Sequence, residues 1–254
     1  MNYIRLKTLI WKETYRFLKV WLQTLMSPVI IAVMYFAVFG GALGSQITEI
    51  NGVPYAVFII PGLVLLQSTS NAYQNPSSSL IIAKYSGTMS DILLPPLTAT
   101  EKVLGYLLGG VIRGLLVSFL IFAVAGVFTG QFIPAHPLAF LLMLFLANGA
   151  FTAFGTMVGI WAKTFDQTSA VLTFVITPMG FLGAIFYSLE MLPPLAQTLS
   201  KFNPFFYFAD GLRWAFLDIA AVAPLQSFAV AGSIFAAFVG ANYWAFKTGW
   251  RLKI

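Results

Sequence analysis

Six stretches of this chain are each apolar enough and long enough to cross a bilayer, and little else can be built from such a pattern. A helix needs about 20 apolar residues to span the hydrocarbon core. The first run, TLMSPVIIAVMYFAVFGGALG, covers 24–44, and the others cover about 54–73, 103–129, 138–160, 169–187 and 224–246. Charged residues are only 9% of the 254, against about 25% in a soluble domain. Continuous runs point away from an outer-membrane barrel, whose strands alternate apolar and polar residues. The expected fold is an all-α membrane protein with six transmembrane helices, forming a single domain over 1–254.

This excludes several function classes. No sizeable soluble domain fits, and no GxxxxGK[ST] phosphate loop is present. There is no cysteine for a disulfide or thiolate metal site, and the single histidine, His136, cannot form a multi-histidine centre. No paired carboxylates or nucleophile with a base stand out, so no catalytic residue is expected. The net charge of +6 gathers at the termini, which speaks for membrane orientation rather than nucleic-acid binding.

Residues 1–21 carry five Lys/Arg. Leu6, Ile10, Phe17 and Trp21 alternate with Arg5, Thr8, Lys12, Arg16 and Lys19 at helical spacing. The segment is read as an amphipathic helix in the interface rather than a cleaved signal peptide. Eleven Lys/Arg fall on one side of the membrane (Arg5, Lys7, Lys12, Arg16, Lys19, Lys84, Lys102, Lys163, Lys247, Arg251, Lys253), and only Lys201 and Arg213 fall on the other. The positive side is the cytosol, so both termini are expected there. Residues 45–53 and 130–137 are short outer links, and 74–102 is a long cytosolic loop. Residues 188–223 are too apolar for a plain loop. Pro193-Pro194 and Asn203-Pro204 should break them into two short helices. These form either a re-entrant hairpin dipping into the outer leaflet or an aromatic belt lying flat.

Within the cytosolic loop, YSGTMSDILLPPLTATEK at 85–102 is patterned rather than random. Ser79–Tyr85 can form a short helix that Gly87 ends. Pro95-Pro96 stops the next piece, and Thr98 or Thr100 can cap the third span with Glu101 in its first turn. This is either a simple interfacial loop or a rigid knob presented to a cytosolic protein.

Polar groups inside the spans need partners. Gln67, Ser68, Asn71 and Gln74 repeat along the second span, where they either pack against other helices or line a translocation path. Asn148, Thr152 and Thr156 read as packing. Arg113 lies inside the third span, where it either attracts an anionic head group or snorkels to the interface. The pairs Gly40/Gly44, Gly105/Gly109, Gly110/Gly114 and Gly155/Gly159 permit close helix approach, within one subunit or between two. Asp210 and Arg213, three apart, could pair; Glu190 and Asp218 read as solvated.

Two of these stretches carry a resemblance. GTMSDILLPPLTATEKVLG resembles the segment after the second span in permease subunits of type-2 ABC exporters, and NPFFYFADGLRWAF at 203–216 resembles that family's motif before the last span. The double proline at 95–96 departs from the pattern. The resemblance covers nearly the whole chain and implies an inner-membrane permease of the bacterial cytoplasmic membrane. It would work as a dimer with itself and with two copies of a cytosolic ATPase, among membrane lipids. This chain would bind no cofactor, with ATP and Mg held by the ATPase. Tyr85, Ser86, Gly87, Thr88, Met89 and Asp91 would form or shape the coupling contact, with Lys163 and Asp166 as a second one. Gln67, Ser68, Asn71 and Arg113 are the candidates for the substrate path. Asn203, Pro204, Tyr207, Asp210 and Arg213 would form the outer gate. The substrate would be amphipathic: drug-like, a lipid or a lipid-linked glycan. The alternatives are an ion-coupled secondary transporter, which usually needs a buried carboxylate relay absent from the spans, and a non-transporting membrane scaffold.

Overall fold

The computed structural model describes residues 3–42, 49–89 and 97–252. We number its helices α1 (Tyr3–Leu18), α2 (Leu22–Gly41), α3 (Tyr55–Tyr85), α4 (Ala99–Thr129), α5 (Pro137–Trp161), α6 (165–181), α7 (Pro194–Phe202), α8 (Pro204–Leu217) and α9 (Pro224–Thr248). A two-residue hairpin pairs β1 (Glu49–Ile50) with β2 (Val53–Pro54). Its Asn51-Gly52 turn has both residues at positive φ, the geometry that matches strand twist.

The helix starts follow from local chemistry. Helices α5, α7, α8 and α9 each begin on a proline, where the missing N–H is no loss and φ is already helical. Helix α4 begins with a capping box: Thr98 Oγ1 accepts from the Glu101 N–H at 3.2 Å, and Glu101 Oε2 accepts from the Thr98 N–H at 2.8 Å. Thr98→Ala should cost about 1 kcal/mol, readable as a lowered Tm of the detergent-solubilised protein; an unchanged Tm would show the cap to be replaceable.

Five helices, α2, α3, α4, α5 and α9, are long and apolar enough to cross a membrane among the described residues. The expected fifth span, 169–187, is displaced and shortened. Helix α6 starts at Phe165, capped by Thr164, and stops at Phe181 because the chain turns at Leu182. At about 1.5 Å per residue it is shorter than the roughly 30 Å hydrocarbon core. Wide π-helical turns open α2 at Leu22–Met26, close it at Phe36–Ala42 and interrupt α6 at Leu172–Ile176. The first and the last precede a hydroxyl-proline pair, Ser27-Pro28 or Thr177-Pro178. A proline ring clashes with the carbonyl four residues back, so the turn widens.

Helix α3 is the centre. Of its most apolar window 78% is buried, against 11% for α9 and 22% for α2. It packs most extensively on α5 and α4, while α9 lies on α5 and α1 lies along α4. Small residues set these approaches. A Cβ at Gly155 would land on the backbone carbonyl of Tyr73, one at Gly159 would meet Ser77 and Leu80, and one at Gly109 would come within 2.6 Å of Glu13 Cβ. Gly105, Gly109, Gly110, Gly114, Gly155 and Gly159 therefore serve packing within the subunit. Gly155→Val should push α3 from α5 and lower stability by about 3 kcal/mol, measured by thermal unfolding; a loss below about 0.5 kcal/mol would show that the contact yields.

One sequence expectation changes here. Helix α3 does not end near residue 73 but runs through Pro76 to Tyr85. The segment 74–85, read as loop with a separate short helix, continues the span. Its polar groups are satisfied locally, with Ser77 and Ser78 donating to the carbonyls of Tyr73 and Gln74 at 2.9 and 2.7 Å.

Candidate functional site

The far end of α3 forms a short exposed turn. Tyr85 is exposed and stacks on exposed Phe165 at 5.4 Å between ring centroids. Ser86, Gly87 and Thr88 are exposed, with Gly87 at φ +69° and the Ser86 and Thr88 hydroxyls 2.8 Å apart. Of the two parts the sequence left open for Met89, contact or support, its burial fits support. It is 1% exposed, among Leu80, Tyr106, Ile160 and Phe246, so it anchors the turn. Asp91 lies outside the described residues.

Lys84 fastens the same end. Its ammonium donates to the carbonyls of Gly159, Ile160 and Ala162 at 2.9, 2.6 and 2.7 Å. A cation here compensates the unsatisfied carbonyls and partial negative charge of the α5 C-terminus. The sequence showed Lys84 only as one more loop charge. The Tyr73 hydroxyl donates to Thr168 O at 2.9 Å and ties α3 to α6. Asp166 is exposed beside Phe165, whereas Lys163 lines a cavity with Lys84 and Arg251.

Along α3, the polar residues divide. Gln67, Ser70, Gln74 and Ser78 are half-exposed and form one stripe at helical spacing. Ser68, expected on that path, is fully buried and donates to Leu65 O of its own helix at 3.3 Å. Asn71 is buried too, accepting from Arg113 at 2.7 Å. Arg113 therefore neither snorkels nor stands open to a head group: it is 7% exposed and held by a neighbouring helix. Asn148, Thr152 and Thr156 are buried and donate to carbonyls of their own helix.

Next to Arg113 lies a cluster the sequence reading missed. Glu13 of α1 is fully buried. It accepts from Ser79 at 2.7 Å and pairs with Arg16 at 3.3 Å. Arg16 also donates to the carbonyl and side-chain oxygens of Asn75 and to Ser78. So α1 is clasped to α3 by its supposed solvent face. The signal was present: Leu9, Glu13 and Phe17 repeat every four residues and are the buried face.

At the other end, α7 and α8 are the two short helices expected from the prolines. Asn203 caps α8, accepting from the Phe205 N–H at 3.0 Å, and donates to Met179 O at 2.6 Å. Pro204 is the first residue of α8, and half-buried Tyr207 packs edge-on to Phe206. Asp210 and Arg213 do not form the expected pair, because each faces a different neighbour. Asp210 is fully buried and accepts from the Ala221 N–H at 2.7 Å and the Ser227 hydroxyl at 3.1 Å. Burial pushes its carboxyl above the usual range, and these donors and the Arg213 charge draw it back. Arg213 donates to Ala184 O and sits over the Phe58 ring at 4.3 Å. Asp218 is exposed, as the sequence suggested, and meets half-exposed His136 at 3.0 Å, and His136 stacks on Trp214. The link before α5 is thus clasped to the end of α8.

A family model for ABC-2 type transporters matches residues 4–217. The chain belongs to the ABC-2 type transporter family. It is 40% identical over 231 residues to "Inner membrane transport permease YadH" of Escherichia coli K12, covering 91% of this chain and 90% of that protein. It is 26% identical over 181 residues to "Nodulation protein J" of Sinorhizobium fredii, covering 70% and 68%. As an ABC-2 family member with these apolar helices, the chain is a multi-pass protein of the cytoplasmic membrane. Such a subunit is a permease rather than an enzyme: ATP hydrolysis in this family is performed by an ABC ATPase partner.

Proposed function

We propose that this ABC-2 protein is the membrane-spanning half of an ATP-driven exporter. Two copies pair with each other and with two copies of a separate cytosolic ATPase that holds ATP and Mg. In this reading α6 completes six spans, both termini are cytosolic, and α7–α8 dip into the outer leaflet as a gate. The substrate is amphipathic, drug-like, a lipid or a lipid-linked glycan. It passes along the half-exposed stripe of Gln67, Ser70, Gln74 and Ser78, which polar chemistry keeps from facing lipid tails.

The observation that carries the reading is the turn at 85–88. It is exposed, yet it is fixed from below by Met89 and Lys84 and from the side by Phe165. A docking knob must be exposed to be gripped and rigid to transmit force. Tyr85, Ser86, Gly87 and Thr88 form the contact, with Asp166 beside it, and Met89 shapes it.

Co-purification tests this. The tagged chain, expressed with its chromosomal neighbours and extracted in mild detergent, should retain a stoichiometric ATPase. That ATPase should be lost on Tyr85→Ala/Thr88→Ala. A chain that purifies alone, under conditions preserving a known exporter, would overturn the reading.

A further inference from the structure

A cavity of about 530 Å³ opens where the ends of α3 and α5 meet the turn after α9. Lys84, Lys163 and Arg251 line it, over a floor of Met89, Ile160 and Leu252. No carboxylate lines it among the described residues. Its three cations play different parts. Lys84 uses all three N–H groups on the α5 carbonyls, which cancels the negative end of that helix. What remains is the positive charge of Lys163 and Arg251. The Lys163 ammonium makes no hydrogen bond within the described residues. Arg251 keeps one long bond, to Trp161 O at 3.4 Å, and sits at φ +53°, uncommon for a side-chain-bearing residue.

The surroundings name the ligand. Trp161, Tyr243 and Trp244 are exposed at this end of the bundle, and Trp244 packs on Trp250. Indole and phenol rings gather at the level of lipid head groups. Basic pockets between membrane helices on the cytoplasmic side suit anionic head groups. An apolar floor beneath a basic rim also suits a phosphate that carries acyl chains better than a free ion. We propose that this cavity binds the phosphate-bearing head group of an anionic phospholipid, with Lys163 and Arg251 contacting the phosphate and Trp161 flanking its glycerol end.

The test uses the full chain in mild detergent, with thermal unfolding and native mass spectrometry as readouts. Phosphatidylglycerol should bind and raise Tm by several degrees, while phosphatidylcholine and millimolar inorganic phosphate should not. Lys163→Ala/Arg251→Ala should weaken phosphatidylglycerol binding on the order of tenfold or more. The charge-preserving Lys163→Arg/Arg251→Lys should restore it. Lys7→Ala/Lys12→Ala, which removes the same charge from exposed positions on α1, should leave binding as in the parent. Equal binding by the alanine double variant, or equal loss in the α1 control, would overturn the site. An equal response to phosphatidylcholine would overturn the role of charge. An equal response to inorganic phosphate would make it a free-anion site instead of a lipid site.

Discussion

Arg16→Met is expected to destabilise the protein by about 3 kcal/mol, the lower end of the cost of breaking a buried ion pair, since the Arg16 side chain is 25% exposed. The loss comes from what is left behind. Glu13 stays fully buried with only the Ser79 hydroxyl donating to it, and the Asn75 carbonyl loses its guanidinium donor. Removing both partners in Glu13→Leu/Arg16→Met should recover at least half of the loss, because two apolar side chains need no partner. Thermal unfolding of the parent, the two single variants Arg16→Met and Glu13→Leu and the double variant in one detergent gives the cycle. A single variant within about 0.5 kcal/mol of the parent would show that the clasp behaves as a surface pair.

Gly87→Pro is expected to abolish export while leaving membrane insertion intact. Gly87 has φ +69°, and proline is locked near −65°, so the turn must rebuild. The helix below it ends at Tyr85 and is held by Lys84, so the damage stays local. If the turn couples two machines, ATP hydrolysis by the complex should persist while substrate movement falls to background. Both are measured on the same reconstituted vesicles. Normal export by the variant would remove the coupling role from this turn.

The breaks at Pro193-Pro194 and Asn203-Pro204 and the Thr98 cap with Glu101 were legible because they are local: each acts within one turn. The length of α3 was not. Gln74-Asn75-Pro76-Ser77-Ser78-Ser79 reads as loop on propensity. It stays helical because α1 and α5 bury it and Arg16 serves the Asn75 carbonyl, partners 59 residues apart in sequence. The exposure of Tyr85 and Gly87 was legible from their place in a polar loop. The burial of Met89, Ser68 and Asp210 was not, because it depends on neighbours far along the chain. Glu13 was missed because a charge on an amphipathic helix reads as solvent-facing until a glycine face, here Gly109, is seen to receive it.

The bond from Arg113 to Asn71 also bears on how the chain is made. Synthesis delivers α3 before α4, so Asn71 is already in the membrane when Arg113 must leave water. A lone arginine at mid-membrane costs roughly 2.5–3.5 kcal/mol even by insertion scales, and here its acceptor arrives 42 residues ahead of it. Glu13 and Arg16 come in the opposite order: they are made first and wait outside on α1 until Asn75 and Ser79 emerge. For these two clusters, the order of synthesis therefore keeps each charge in water until its partners have been made.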